Sequence, residues 1–468
     1  MVYPSPYRAG MSSLGFQWIH RLLREAGLHP ERVFLPDSPE AWRAARLAPV
    51  SYETQTPLNR FPILAISLAY ELEISGLLEL LDLAGIPKLR EDRGPHDPLI
   101  LLGGPITMAS PLVAAPFVDA MLLGEAEHTA PAAVNAAFDT DTRERWLDHV
   151  SQLAGAYIPE RDGDLLPTPA TAVHEMLPAH SSWIAPDAEL SSMFLMEGER
   201  GCHRQCTFCV MRRGGTLGGM RLVGLERLIA LVPDHARKVG LVGAAISDHP
   251  QLVPLLQHLV DTGRRVSLSS LRADRIHARP QIAQLLRESG ARTLTVASDG
   301  ASERLRKQVM KKTTEKHLLS CALQAGEHGY DVFKVYMIVG LPGETDADID
   351  ELIRFTLELA QAAKPTRVAL GVAPFVAKRN TPLDGEPFAG IKAIDARMKR
   401  LQRGLRGKAE VRPVSSRWAW IEHQLSQGGV EMGFAALDAW TQGGRFADWK
   451  RALKAVDPDT FRPWANAG

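Results

Sequence analysis

The chain has 468 residues, long enough for two or three domains with full hydrophobic cores. Lys plus Arg and Asp plus Glu both number 54, so the net charge is zero and the basic signature of a nucleic-acid binder is absent, leaving at most a local patch. Four cysteines in so long a chain suit a reducing compartment. The start "MVYPSPYRAGMSSLGF" lacks signal-peptide layout, and no apolar run reaches about 18 residues, so a cytoplasmic protein without a membrane span is expected.

In chain order, "LGFQWIHRLLREAGL" (14–28) and "EISGLLELLDLAGI" (73–86) carry helical periodicity, each with a Gly near its end. Between and after them, "FPILAISLAY" (61–70), "DPLILLGGP" (97–105) and "FVDAMLLGEAE" (117–127) read as buried strands. Only "MVYP" is left for a first strand ahead of the first helix, so that strand is short or its start lies upstream. Strand–helix alternation predicts a parallel, doubly wound sheet, which binds ligands beyond the C-terminal ends of its strands. Residues 156–190 hold five prolines and no sustained period, the mark of a linker with room for a small hairpin.

From 191 the alternation resumes. Strands are predicted at 192–197, 239–243, 266–270, 293–298, 333–339 and 367–373, with helical patterns between them such as 250–261 and 346–363. Six strand–helix units fall short of a closed eightfold barrel. The expected architecture is therefore α/β: a Rossmann-like domain (1–150), a linker (151–190), a partial (β/α)6 TIM-like barrel (191–385) and a helical C-terminal region (386–468).

Cys202, Cys206 and Cys209 fall within "GERGCHRQCTFCV" (198–210), in the loop after the first barrel strand. Three thiols are odd in number and too close in sequence for useful disulfides, so the pattern points to metal. Structural zinc needs four protein ligands, and His203 or the distant Cys321 would have to complete the set. A cubane 4Fe–4S cluster is held by three thiolates with one iron left open, as a reaction centre requires. Both metals fit the residue types; the open iron fits the loop position better.

C-x3-C-x2-C in this context, with Phe208 before the last cysteine, resembles the signature of the radical S-adenosylmethionine (SAM) superfamily. The resemblance implies that Cys202, Cys206 and Cys209 ligate a 4Fe–4S cluster whose open iron binds SAM, from which one electron liberates a 5′-deoxyadenosyl radical. It further implies cofactor contacts along successive strand ends. Gly243 and Ala244 stand where a turn receives the amino group of SAM, and Ser270 and Arg272 end the third strand facing the cofactor. Gly340, Gly343 and Glu344 form a turn near the adenine. At the fourth strand end Asp299 stands where relatives carry a glutamate, one methylene shorter, with Ser298 or a water as substitute for its ribose contact.

The segments 3–15, 67–87, 101–111 and 118–127 resemble the cobalamin-binding domain found in cobalamin-dependent members of this superfamily. By that resemblance Ser67, Gly103 and Gly104 leave room for a nucleotide tail between strand ends. The D-x-H-x-x-G motif that supplies a cobalt ligand elsewhere is missing: its loop reads "YRAGMSSLG", and His20 further on reads as packing or surface, so either cobalamin binds without a protein histidine or the domain is a Rossmann-like docking domain that has lost it. The expected activity is C-methylation or rearrangement of a small-molecule or peptide substrate, with flavodoxin or ferredoxin as electron donor.

Two alternatives stand beside it. A methylthiotransferase-like enzyme without cobalamin would need three further N-terminal cysteines for a second cluster, and residues 1–201 contain none. A zinc scaffold would carry no iron. Cys321 and Tyr330 read as packing, Tyr336 as packing with an active-site orientation as the alternative, and the adjacent Asp248 and His249 as a turn capping the next helix rather than a metal pair. The basic run 398–407 reads as a solvated helix face, with RNA contact a minor alternative.

Overall fold

The computed structural model describes residues 1–213 and 219–456. They divide into two compact units: residues 1–191 with 378–380 and 421–456, and the described residues of 192–377 with 381–420.

The first unit is built on six strands: β1 (Val2–Tyr3), β2 (Val33–Phe34), β3 (Ile63–Ser67), β4 (Leu99–Gly103), β5 (Ala120–Leu122) and β6 (Ala156–Tyr157). Their spatial order is β2-β1-β3-β4-β5-β6, parallel throughout except for antiparallel β6. β4 is short and apolar, and Ile100, Leu101 and Leu102 are at most 3 % exposed. Strands covered on both faces require this near-continuous hydrophobicity. Helix Ile74–Leu83 buries Leu77, Leu78, Leu80 and Leu81 to within 1 %, each contributing roughly 1.5–3 kcal/mol. Helix Leu14–Glu25 begins where the Ser13 hydroxyl accepts the Phe16 N–H at 3.3 Å.

Strand order reverses between β1 and β3, which makes the space beyond their C-terminal ends the natural ligand crevice. Protein groups bridge these ends. The Glu73 carboxylate accepts the Ser5 hydroxyl at 3.0 Å and the Ala69 N–H at 2.6 Å. A Cβ on Gly76 would lie 2.0 Å from the Pro4 carbonyl oxygen, so this helix meets the loop after β1 backbone to backbone.

The second unit carries β7 (Phe194–Glu197), β8 (Glu199–Arg200), β9 (Arg221–Leu222), β10 (Lys238–Val242), β11 (Arg265–Leu268), β12 (Thr293–Ala297), β13 (Val332–Val339), β14 (Arg367–Pro374) and β15 (Glu410–Pro413). β7, β10 and β11 form one parallel set and β12 to β15 another, joined by a parallel bridge between Leu271 and Val296. Helices such as Leu252–Asp261, Gln281–Glu288, Glu315–Glu327 and Asp346–Ala362 alternate with the strands, the connectivity of a parallel α/β fold.

The six anticipated barrel strands all appear. The structure corrects the count: β15 adds a seventh, parallel to β14, within a tail expected to be helical. Its four residues are mostly exposed, so no apolar run announced it. No hairpin forms in 156–190. Ala156–Tyr157 pairs with β5, and the following segment packs into the first unit, where Ala185 and Ala188 join Tyr3, Phe16 and Phe34. The C-terminal region divides: residues 381–420 belong with the barrel, and the helices Val430–Thr441 and Phe446–Ala455 with the first unit. No described helix is long and apolar enough to cross a membrane.

Candidate active site

The cysteine loop leaves β7 through Gly198 and the two-residue strand β8, which pairs antiparallel with β9 where the chain returns. Gly201 has φ +80°, and a Cβ there would sit 2.6 Å from the Gly219 carbonyl oxygen, so only glycine lets the two ends of the loop meet. Cys202 and Cys206 are buried and Cys209 is half-buried. The Arg204 N–H points at the Cys202 sulfur (3.4 Å) and the Thr207 N–H at the Val309 carbonyl (3.1 Å).

Burial pushes the Cys202 and Cys209 thiols up, Cys209 to about 11, and the neighbouring thiolates reinforce both shifts. Thiols raised in this way stay protonated until a bound cation stabilises the thiolate. Among the described residues no three His, Cys, Asp or Glu side chains converge tightly enough for a single metal ion. A structural zinc site takes four protein ligands, and this loop offers three thiols, the set that holds a cubane with one open corner. The donor set therefore suits a 4Fe–4S cluster.

Asp248 fixes the loop. Its buried carboxylate accepts Arg204 through both oxygens, at 2.6 and 2.9 Å, and pairs with Arg275 as well. Burial works to raise this carboxyl, but the two guanidiniums outweigh it and hold it below the usual range. Asp248 thus joins the cysteine loop to the loop after β10 and the helix Ala273–Ala278. This corrects the helix-cap reading of Asp248 and also sets aside the metal pair. His249 is 1 % exposed and bonds the Val223 carbonyl (2.9 Å) and the Gln251 N–H (3.1 Å).

Two further strand ends converge on the same loop. The Arg272 guanidinium donates to the Lys311 carbonyl (3.2 Å), and the Lys311 amine pairs with the Asp299 carboxylate. Asp299, Met310 and Lys312 all hold positive φ, 58° to 59°. Three non-glycine residues in this strained region mark a segment the surroundings over-determine, as functional sites do. Ser298 is buried, its hydroxyl turned toward the Gly300 carbonyl and Arg306. Ser270 and Phe208 are half-buried.

At the end of β13 the Gly340 N–H donates to Glu344 Oε1 (2.8 Å), which also accepts Arg397 (2.9 Å). Gly340 and Gly343 take φ +90° and +71°. Burial lifts the Glu344 carboxyl to about 7. The Arg304 guanidinium bonds the Gly343 carbonyl (3.0 Å), tying this turn to the helix after β12.

Glu199 escaped notice in the sequence. It is 0 % exposed, its Oε1 accepts the Ala245 N–H at 2.6 Å, and its Oε2 has no partner. Burial raises it to about 7. A charged residue beside a wholly buried strand was the available signal. Gly243 leaves room for it, because a Cβ there would lie 2.3 Å from Glu199 Oε1.

The residues read as packing divide. Cys321 is fully buried, its thiol on the Ala273 carbonyl (3.6 Å), and Tyr330 bonds the Ala283 carbonyl (2.6 Å). Tyr336, by contrast, is 38 % exposed beside Lys334 (3.1 Å), on the face of β13 opposite buried Val335 and Met337, which corrects the core assignment. His20 packs on Trp183 and bonds the Pro30 carbonyl (2.9 Å). In the first unit, Ser67 and Gly103 end β3 and β4, and a Cβ on Gly103 would meet no atom within 4 Å. Gly104 (φ +102°) instead packs on Leu68, whose carbonyl oxygen would lie 2.6 Å from a Cβ.

Parallel strands alternating with helices, a thiol trio after the first strand of the second unit and ion-paired groups at its later strand ends are the setting in which a radical SAM enzyme holds its cofactors. Two family models match: "Radical SAM proteins, N-terminal" over residues 15–159 and "Radical SAM superfamily" over 197–356, together more than half of the chain. The chain belongs to the radical SAM superfamily.

It is 26 % identical over 412 residues to the uncharacterised protein MJ0966 of Methanocaldococcus jannaschii, covering 86 % of this chain and 83 % of that one. It is 23 % identical over 226 residues to the ribosomal protein uS12 methylthiotransferase RimO of Prosthecochloris aestuarii, covering 45 % and 46 %. Among solved structures it is similar to the cobalamin-dependent SAM radical enzyme OxsB with aqua-cobalamin and SAM bound, at TM-score 0.51 and 15 % identity over 76 % of this chain. The match spans about half of OxsB, 51 % of its length, and is a likeness of fold.

Proposed function

We propose that this protein generates a 5′-deoxyadenosyl radical from SAM at a 4Fe–4S cluster held by Cys202, Cys206 and Cys209, and uses it with cobalamin to methylate or rearrange a small-molecule or peptide substrate. The observation that carries the reading is the trio of free thiols Cys202, Cys206 and Cys209 on the one loop after β7, two of them buried and the third half-buried. When bound, the cluster supplies the electron that cleaves the sulfonium.

The protein's own part is positioning. Asp248 and Arg204 hold the cysteine loop in one conformation. The turn at Gly243 and Ala244 offers backbone to the amino end of SAM. Asp299, oriented by Lys311, and the turn 340–344, closed by Glu344, face the nucleoside end.

Cobalamin is supported by the open space at Gly103, at the end of β4, and by the fold likeness to OxsB. Cobalt would have no histidine from the loop after β1, and the proposal needs none. A flavodoxin or ferredoxin would deliver the electron. Methylthiolation is disfavoured by the lack of any cysteine in residues 1–201.

The test is anaerobic reconstitution with iron, sulfide and hydroxocobalamin. About four irons per chain, 5′-deoxyadenosine on reduction and corrinoid retained through gel filtration are expected. Iron without 5′-deoxyadenosine overturns the radical reading; 5′-deoxyadenosine without retained corrinoid overturns the cobalamin part alone.

A further inference from the structure

Glu199 is a carboxylate that the fold buries and leaves half satisfied. Its side chain is fully enclosed, one oxygen bonds the Ala245 N–H at 2.6 Å, and the other has no donor. Arg200, next in sequence, turns to Glu197 instead, at 2.7 and 2.8 Å. A buried carboxylate oxygen without a partner is costly, and structures retain one where a ligand completes it.

The ligand's place is marked by the neighbouring turn. Gly243 lacks the Cβ that would strike Glu199 Oε1 at 2.3 Å, so the carboxylate lies directly against the turn. On either side Val242 and Ala244 are exposed, which leaves the turn open at the C-terminal end of β10. Glu199 also acts electrostatically on Cys202, which places it beside the thiol trio.

We infer that Glu199 is a cofactor-binding residue whose orphaned carboxylate oxygen accepts the α-ammonium group of SAM at the turn formed by Gly243 and Ala244. The inference rests on the radical SAM reading above and adds to it a charged contact from outside the turn. An ammonium carries both things the site lacks, a hydrogen-bond donor and a compensating positive charge. Burial, aided by Glu197 and Asp248, lifts the empty carboxyl to about 7. Binding a cation favours the ionised form, so affinity for the cation falls as pH drops through that value.

The experiment is calorimetric titration of the anaerobically reconstituted protein with SAM, and with 5′-deoxyadenosine as a probe that has no amino acid moiety. Glu199→Gln is expected to weaken SAM binding about tenfold or more at pH 8, with 5′-deoxyadenosine affinity, iron content and the EPR signal of the reduced cluster unchanged. Lowering the pH from 8 to 6 should weaken SAM binding in the parent protein and not in the variant. Gly243→Ala, which drives a Cβ into the carboxylate, should give the same selective loss and decides the matter if Glu199→Gln fails to hold iron. Variants that bind SAM as the parent does overturn the assignment of Glu199 and leave the radical reading standing. A parent protein that holds iron yet binds no SAM overturns both.

Discussion

The two units contain buried glutamates at strand ends, and they treat them differently. In the first unit Glu73 accepts Ser5 and the Ala69 N–H, while Glu71 accepts the Ser110 hydroxyl at 2.7 Å and pairs with Lys378 at 2.8 Å. In the barrel unit Glu199 and Glu344 each keep one buried oxygen without a partner, and burial lifts both to about 7. The first pair knits the structure together; the second stores an unmet demand that a bound molecule can meet. The contrast teaches that burial of a charge does not mark a site, whereas burial of an unfinished charge does.

Substitutions on either side of this contrast put it to the test. Cys202→Ala has the largest expected effect: metal analysis should find iron lost almost entirely, and chromatography no 5′-deoxyadenosine. Next comes Asp248→Ala, which strands Arg204 and Arg275 and should cost about 3–5 kcal/mol in denaturant unfolding of the iron-free protein. Because the Asp248 carboxyl is held below its usual value when folded, its contribution is complete above about pH 4 and is lost as pH falls further. The stability gap between parent and variant should therefore close only in strong acid.

Gly104→Ala tests the satisfied side of the comparison. It combines a positive φ with a Cβ 2.6 Å from the Leu68 carbonyl oxygen and should cost roughly 2 kcal/mol or more, measured by thermal unfolding. Gly243→Ala has no such φ but presses a Cβ on the buried Glu199 carboxylate, so its loss should appear chiefly in SAM binding, with a smaller cost in stability. Gly103→Trp fills open space at the β4 end and should abolish corrinoid retention while unfolding stays near that of the parent protein. Smallest of all, Cys321→Ala should cost about 1 kcal/mol and leave iron and 5′-deoxyadenosine yield unchanged.

Legibility followed local signal strength. The six apolar barrel strands and β3, β4 and β5 could be read directly, because buried parallel strands need continuous hydrophobic runs. β2 and β6, two residues each, and the exposed β15 could not: their existence depends on partners distant in the chain. Tyr336 read as core because tyrosine on a buried strand usually packs, yet strand parity sets it on the open face beside Lys334. Asp248 looked like a cap, since nothing local reveals that Arg204 and Arg275 will close on it.

The cysteine spacing, the strand–helix alternation and the order of strand-end motifs are written in the chain, because each is a pattern within a short window. Only the tertiary structure decided that Glu199 lies under Gly243 with an oxygen to spare, that Lys311 orients Asp299, and that residues 378–380 fold with the first unit. Those facts concern which groups meet and which remain unmet. That is settled by packing between segments tens to hundreds of residues apart, where no periodicity carries information.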